Sequence, residues 1–307
     1  MIETLLAGLG EPCPADWGFN VSVGIALIAD HRKTLITVTD AQVNFGTFSA
    51  DYAALKNKPI HKNWTVLIAG NDVEHADPIL NRASDILRQS PPENPIDVAN
   101  AVDEAFSERI HNEINNSILR KRGFDVDSFR EKRKQKCTPS VYLSLCSRID
   151  QVKISLKFLV CGFDGGGEAH IFLVDGEHAP KNYDRLGMWA IGSGAHSALS
   201  FLAFHADQGA FGDLTTNEGA YLALGAKFMA ETSSDVGKKA AFIMIFENGT
   251  FSNRRSVPYP LITKMKEEIW IPEGMPRLPE NIEERMSKYI LTRDEYRMTE
   301  TGGAAAK

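Results

Sequence analysis

Asp40 closes a β-branched run, T-L-I-T-V-T-D, and two lysines follow it in the stretch K-N-K-P-I-H-K, Lys56 and Lys58. An acid and a lysine at neighbouring sheet ends can form a partly buried ion pair, whose attraction must offset the desolvation of both charges. Ser193 stands in Gly192-Ser193-Gly194, between a short apolar run and a small-residue helical pattern, a context for a turn with a helix cap. Gly165-Gly166-Gly167 leads into a strand pattern, not a helix, so it is no phosphate cradle. His170, His196 and His205 have no metal-ligand spacing, and Cys13, Cys137, Cys146 and Cys161 form no C-x-x-C pair. No metal or cofactor is expected from these residues. The cysteines fit inert thiols of a reducing cytoplasm.

The elements that must position these groups are readable from hydrophobic period. Asn20 to Lys58 opens with two Val/Ile/Thr-rich runs around the polar turn D-H-R-K, which predicts a β-hairpin. Trp64 to Gly70 is a third strand ending on glycine. A helix is predicted from Asp77, with Ile79, Leu80, Ala83, Ile86 and Leu87 on one face. A second runs from Ile96 to Arg120, with Val98, Val102, Phe106, Ile110 and Ile114 four residues apart. From Ser140 the pattern V-Y-L-S-L-C-S-R-I predicts a strand, followed by strands at Val152 to Cys161 and His170 to Asp175. A short strand at 188–191, helices after Gly194 and over Thr216 to Met229, and a last strand A-A-F-I-M-I-F complete the series. Strands, two helices, strands, two helices and a strand predict an α+β fold, a four-layer αββα sandwich with two antiparallel sheets between helix pairs.

The 307 residues are 43% hydrophobic and 24% charged, enough for a substantial core. The net charge of −6 points away from nucleic acid or an acidic membrane as the main partner. No apolar run approaches the ~20 residues that span a bilayer, and the amino terminus has no basic segment of a signal peptide. Residues 1–19 read as an irregular leader, 20–250 as the domain, with a basic helical insertion at about 120–138, and 251–307 as a Pro-rich extension with a disordered end. The basic insertion reads as a solvated face or a subunit contact rather than a nucleic-acid site.

Four blocks together resemble the proteasome β-subunit family and its bacterial relatives among the amino-terminal-nucleophile hydrolases, over roughly residues 20–246. They are V-G-I on the first strand; T-V-T-D, K-N-K-P-I-H-K and V-L-I-A-G; G-F-D with A-H-I-F-L-V-D; and A-I-G-S-G-A-H-S-A-L followed by an Ala-rich helix and E-T-S-S. In that family a threonine freed by processing supplies both the nucleophilic hydroxyl and, as its α-amine, the base. The resemblance implies that Asp40 is the acid that holds a lysine, Lys58 that lysine with Lys56 as second choice, and Gly70 the glycine of the oxyanion region. It implies Ser193 as the turn serine and Glu231 with Ser234 as the closing pair. Counting back from Val23-Gly24 puts Asn20, which has no nucleophilic group, at the nucleophile position, after Phe19 where glycine is usual. Gln42 stands where the family has arginine. Ser22 is the one hydroxyl of the first strand within two residues of that position.

The expectation is a cytoplasmic proteasome-like subunit without threonine-peptidase activity. It would assemble as a ring with itself or with paralogous subunits, with an unfoldase as a candidate partner. Two alternatives stand beside it: an amidohydrolase or peptidase acting through Ser22 or another atypical nucleophile, and a module that binds a ligand in the cleft. Residues near Gln42, Phe45 and Gly70 would line a specificity pocket.

Overall fold

The computed structural model describes residues 22–40, 42–45, 48–51, 56–129, 131, 138–206, 211–233, 236–237, 241–252, 254–270 and 281–292. The first hairpin joins β1 (Gly24–Ala29) to β2 (Thr34–Asp40), and a second joins β3 (Gln42–Phe45) to β4 (Phe48–Asp51). Next come β5 (Asn57–His61), β6 (Trp64–Gly70), α1 (Ala76–Gln89) and α2 (Pro95–Ile114). After α3 (Pro139–Asp150) follow β7 (Leu156–Phe163), β8 (Ala169–Val174), β9 (Lys181–Asn182) and β10 (Met188–Ile191). The chain continues through α4 (Ala195–Ala206), α5 (Thr216–Ala230), β11 (Ala241–Phe246), β12 (Arg254–Val257), α6 (Tyr259–Met265), α7 (Ile282–Ser287) and β13 (Leu291–Thr292).

Two antiparallel sheets lie face to face, one ordered β10-β1-β2-β11-β12-β13 and the other β5-β6-β7-β8-β9. Three buried layers separate four layers of structure. Alternation along each strand sends one set of side chains to the gap between the sheets and the other to a helix layer. On β1, Ala26 and Ile28 fill the gap with Leu35, Leu67, Leu159 and Ile171. Val23, Ile25 and Leu27 face the other way, onto α4 and α5. Val66, Ile68, Phe158 and Val160 of the second sheet pack on α1 and α2. The αββα sandwich expected from the element order is the fold.

Local chemistry sets the helix boundaries. Asn94 and Asp97 make a capping box at the start of α2, and Pro95 sits where no amide donor is needed. Thr215 and Glu218 repeat the device at α5. Residues 141–149 are the clear departure from sequence reading: the expected strand is helix α3. Thr138 accepts a hydrogen bond from the Val141 amide, and Pro139 occupies the first turn, so the N-terminal signal outweighs the alternating pattern. Only Leu145 of α3 is buried, and the helix rests on a small satellite core with Ile114, Ile118, Leu119 and Phe129. The stretch assigned to an extension from residue 251 continues the first sheet as β12 and β13. Ile262, Met265, Trp270, Ile282 and Met286 join the core over α5. The leader and residues 293–307 lie outside the described residues.

The two sheets are also tied at the turn between β1 and β2. Asp30, His31 and Arg32 all have positive φ, at 50°, 49° and 68°, an unfavourable run for residues with a side chain. The His31 amide donates to Gly212 O at 2.6 Å, and Arg32 Nη2 crosses to the second sheet, to Ala169 O at 3.0 Å and Asp184 Oδ2 at 3.3 Å. Asp184 also accepts from His170 Nδ1 at 2.6 Å, the Ile171 amide at 2.8 Å and Asn182 Nδ2 at 3.0 Å. Burial alone would raise the Asp184 pKa, but the hydrogen bonds from His170, Ile171 and Asn182 outweigh it and hold the carboxyl below its usual value. Its stabilisation is therefore present above the unfolded carboxylate pKa of about 4 and is lost as pH falls through the lower folded value. Asp184→Asn is expected to cost about 1.5–3 kcal/mol in urea unfolding at pH 7, and the gap between variant and wild type should narrow below about pH 4.

Candidate active site

β1, β2, β5 and the turn before α4 converge at one end of the sandwich. Asp40 is the last residue of β2 and is 1% exposed. Its Oδ1 accepts from Lys56 Nζ at 2.7 Å and from the Val23 amide at 2.9 Å, and Oδ2 accepts from the Gly237 amide at 3.3 Å. Lys56 is itself 3% exposed. Two buried charges thus meet with three donors on the acid and both of its oxygens bonded, the condition under which such a pair is tolerated.

The lysine at Asp40 is Lys56, not Lys58. Lys56 precedes β5, where the chain bends in toward β2. On β5, Lys58 falls on the same face as Ile60, which packs on the α1–α2 layer, so its ammonium meets Asp77 in the first turn of α1. Burial of that ammonium lowers the Lys58 pKa. Between the two lysines, Asn57 faces the gap, where its Nδ2 donates to Thr37 Oγ1 at 3.2 Å.

Ser22 stands at the head of β1. Its amide donates to Ser193 Oγ at 3.4 Å, and its carbonyl accepts from Ser193 Oγ at 3.3 Å and from the Gly194 amide at 3.3 Å. Gly192 makes this approach possible: it has φ of +94°, and a Cβ there would lie 2.2 Å from Ser22 O. Strand alternation puts the Ser22 side chain on the same face as Gly24, Ala26 and Ile28, toward the gap between the sheets. Ser22 is 1% exposed. The residue that bridges the Ser193 turn and the Asp40-anchored Val23 amide is therefore a serine. Asn20 and Ser234 lie outside the described residues, as do the side chains of Gln42 and Phe45.

Gly70 ends β6 with φ of +146°, and a Cβ there would come within 2.1 Å of Ser155 O, so close backbone approach accounts for the glycine. Glu231 follows α5 and bonds to Lys227 and Lys266. Lys227 is 1% exposed, and its pKa is lowered by burial, which outweighs the opposing pull of Glu231 and Asp40. Lys266 comes from the segment after α6, so the chain beyond residue 251 contributes a charge to this end of the molecule. Sequence reading passed over Lys56 as first choice, and over Lys227, Lys266 and Gly237. A lysine inside the Ala-rich pattern of α5, four residues before Glu231, was the available signal for Lys227.

Taken together, an acid and a lysine are buried side by side at the head of β1, the Ser193 hydroxyl bonds the backbone of Ser22, and no group of three or more His, Cys, Asp or Glu side chains among the described residues could hold a metal. A cavity of about 260 Å³ lined by His61, Trp64, Pro92, Asn94 and Asp164 lies at the Trp64 end of β6, away from these groups. Compared with known protein families and with curated proteins, the chain matches none.

Lys56→Met leaves Asp40 as a buried uncompensated charge and is expected to cost about 3–5 kcal/mol in chemical unfolding. Lys58→Met removes a partly exposed pair and should cost under about 1 kcal/mol. The reverse order would assign the buried pair to the wrong lysine.

Proposed function

We propose that this chain is a proteasome-like subunit of the amino-terminal-nucleophile type, without threonine-peptidase activity, that works within an assembly of copies or related chains. The observation that carries this reading is the convergence of Asp40, with its Lys56 partner, and Ser193 on Ser22 and Val23, the two residues that lead into β1. The nucleophile expected of such a site is a residue whose own α-amine is free to take its proton. In the continuous chain the nitrogen of Ser22 is an amide bonded to Ser193 Oγ, so it has no basic lone pair and the site is silent.

One observation favours a second reading, in which the subunit is latent. Ser22 is held by both the Ser193 turn and the strand anchored at Asp40. Hydrolysis of the Val21–Ser22 bond would turn the bonded amide into an α-amine in place. That amine would accept the Ser22 hydroxyl proton as Oγ attacks an amide carbonyl, then pass it to the leaving nitrogen; water would release the acyl group from Oγ. Lys56 would favour the developing alkoxide.

Intact-mass measurement of the purified chain separates the two. An unprocessed mass with no turnover of small peptide amides is expected for the silent subunit. A chain produced to begin at Ser22 supplies the second arm: turnover that disappears in Ser22→Ala establishes the latent site, and inactivity of this folded chain rejects it.

A further inference from the structure

The outer helix layer and the insertion that follows it carry opposite charge. Counting Lys and Arg against Asp and Glu, residues 76–114, which hold α1 and α2, have eight acids and three bases. Residues 115–138 reverse this, with eight bases and three acids. The rest of the chain does not account for the basic segment, since the whole carries −6. α2 runs without a break through the turn Asn115–Leu119 into Arg120–Arg122, so one rod is acidic along its length and basic at its end. Its inner face, Val98, Val102 and Phe106, is buried on the second sheet, whereas Glu93, Glu104, Arg120, Lys121 and Arg122 are exposed.

Favourable placement of cations at a helix C-terminus explains part of the basic end. It does not explain the exposed leucine on the neighbouring helix. α3 shares the satellite core of the insertion, yet its Leu143 is 66% exposed and its Val141 38% exposed. Leu143, on a helix that shares its core with the turn leading into Arg120–Arg122, is an apolar side chain with a charged surround, as at an interface.

We propose that this surface is a contact between two copies of the chain, in which the basic end of α2 and α3 of one copy lie against the acidic outer face of α1 and α2 of the other. A two-fold arrangement satisfies both copies at once, because each presents the same acidic rod and the same basic end, and antiparallel rods bring opposite charges together twice. The charges set register and encounter rate, and Leu143 supplies apolar burial. The contact rests on the assembly reading above and specifies where one interface of that assembly lies.

The test is the solution mass of the full chain by light scattering at low and high salt, for wild type, for Arg120→Glu/Lys121→Glu/Arg122→Glu, for Glu93→Lys/Glu104→Lys, and for an equimolar mixture of the two variants. Wild type should associate at 50 mM salt, with affinity falling at least about tenfold by 500 mM. Each variant alone should be smaller than wild type, and the mixture should recover the larger species. Circular dichroism of each variant confirms folding, and Leu143→Ser gives a charge-neutral disruption. An oligomer that persists in both charge variants overturns this contact and leaves the assembly reading standing. A wild-type monomer at every salt overturns both. A monomer whose basic cluster instead binds RNA or anionic vesicles, with binding lost in the triple variant, overturns the contact and assigns the surface to that partner.

Discussion

The buried pair between Asp40 and Lys56 is the constraint on which this end of the molecule depends. It joins the end of β2 to the residue before β5, and so closes the base of the β3–β4 hairpin that runs between them. Through the same carboxylate it fixes the Val23 amide and the Gly237 amide. Two charges with so little exposure stabilise one another, because each would otherwise lose its nearest counter-charge in a low-dielectric interior. The head of β1 is therefore held by an interaction that cannot be half made.

From that anchor the geometry of the site follows by strand alternation. With Val23 directed to the helix layer, the Ser22 side chain faces the gap between the sheets, while its carbonyl lies in the plane of the sheet and meets whatever follows β10 beside it. That role falls to the Gly192-Ser193-Gly194 turn, whose positive-φ glycine leaves space for Ser22 O. Charges continue across α5 through Lys227, Glu231 and Lys266, so the segment after β12 is wired to the same end rather than trailing from the domain. The opposite end is secured by Arg32 and the carboxylates around His170.

Much of the fold was legible because the sandwich buries both faces of its central strands. Runs such as W-T-V-L-I-A-G and A-H-I-F-L-V declare themselves, and the four-residue steps of α2 place its face on the sheet. Residues 141–149 were not legible in this way, since Val141, Leu143 and Leu145 alternate as in a strand while the deciding signal, Thr138 and Pro139, lies outside the run. β12 and β13 are short, polar or Pro-flanked, and their place in the first sheet depends on a core contributed by distant residues. Of the residues gathered at this end of the molecule, pattern singled out Asp40, Ser193 and Glu231. Lys56 came second to Lys58, because two lysines two residues apart differ only in where β5 begins, and Asn20 lies outside the described residues.

The most direct measurement of the central claim is amide hydrogen exchange at Val23. With the Asp40 carboxylate fixed by Lys56, the Val23 amide is expected to be among the slowly exchanging amides of β1, to lose that protection in Lys56→Met, and to keep it in Lys58→Met. Rapid exchange of Val23 in the wild-type protein, or loss of protection in Lys58→Met with none in Lys56→Met, would contradict the account.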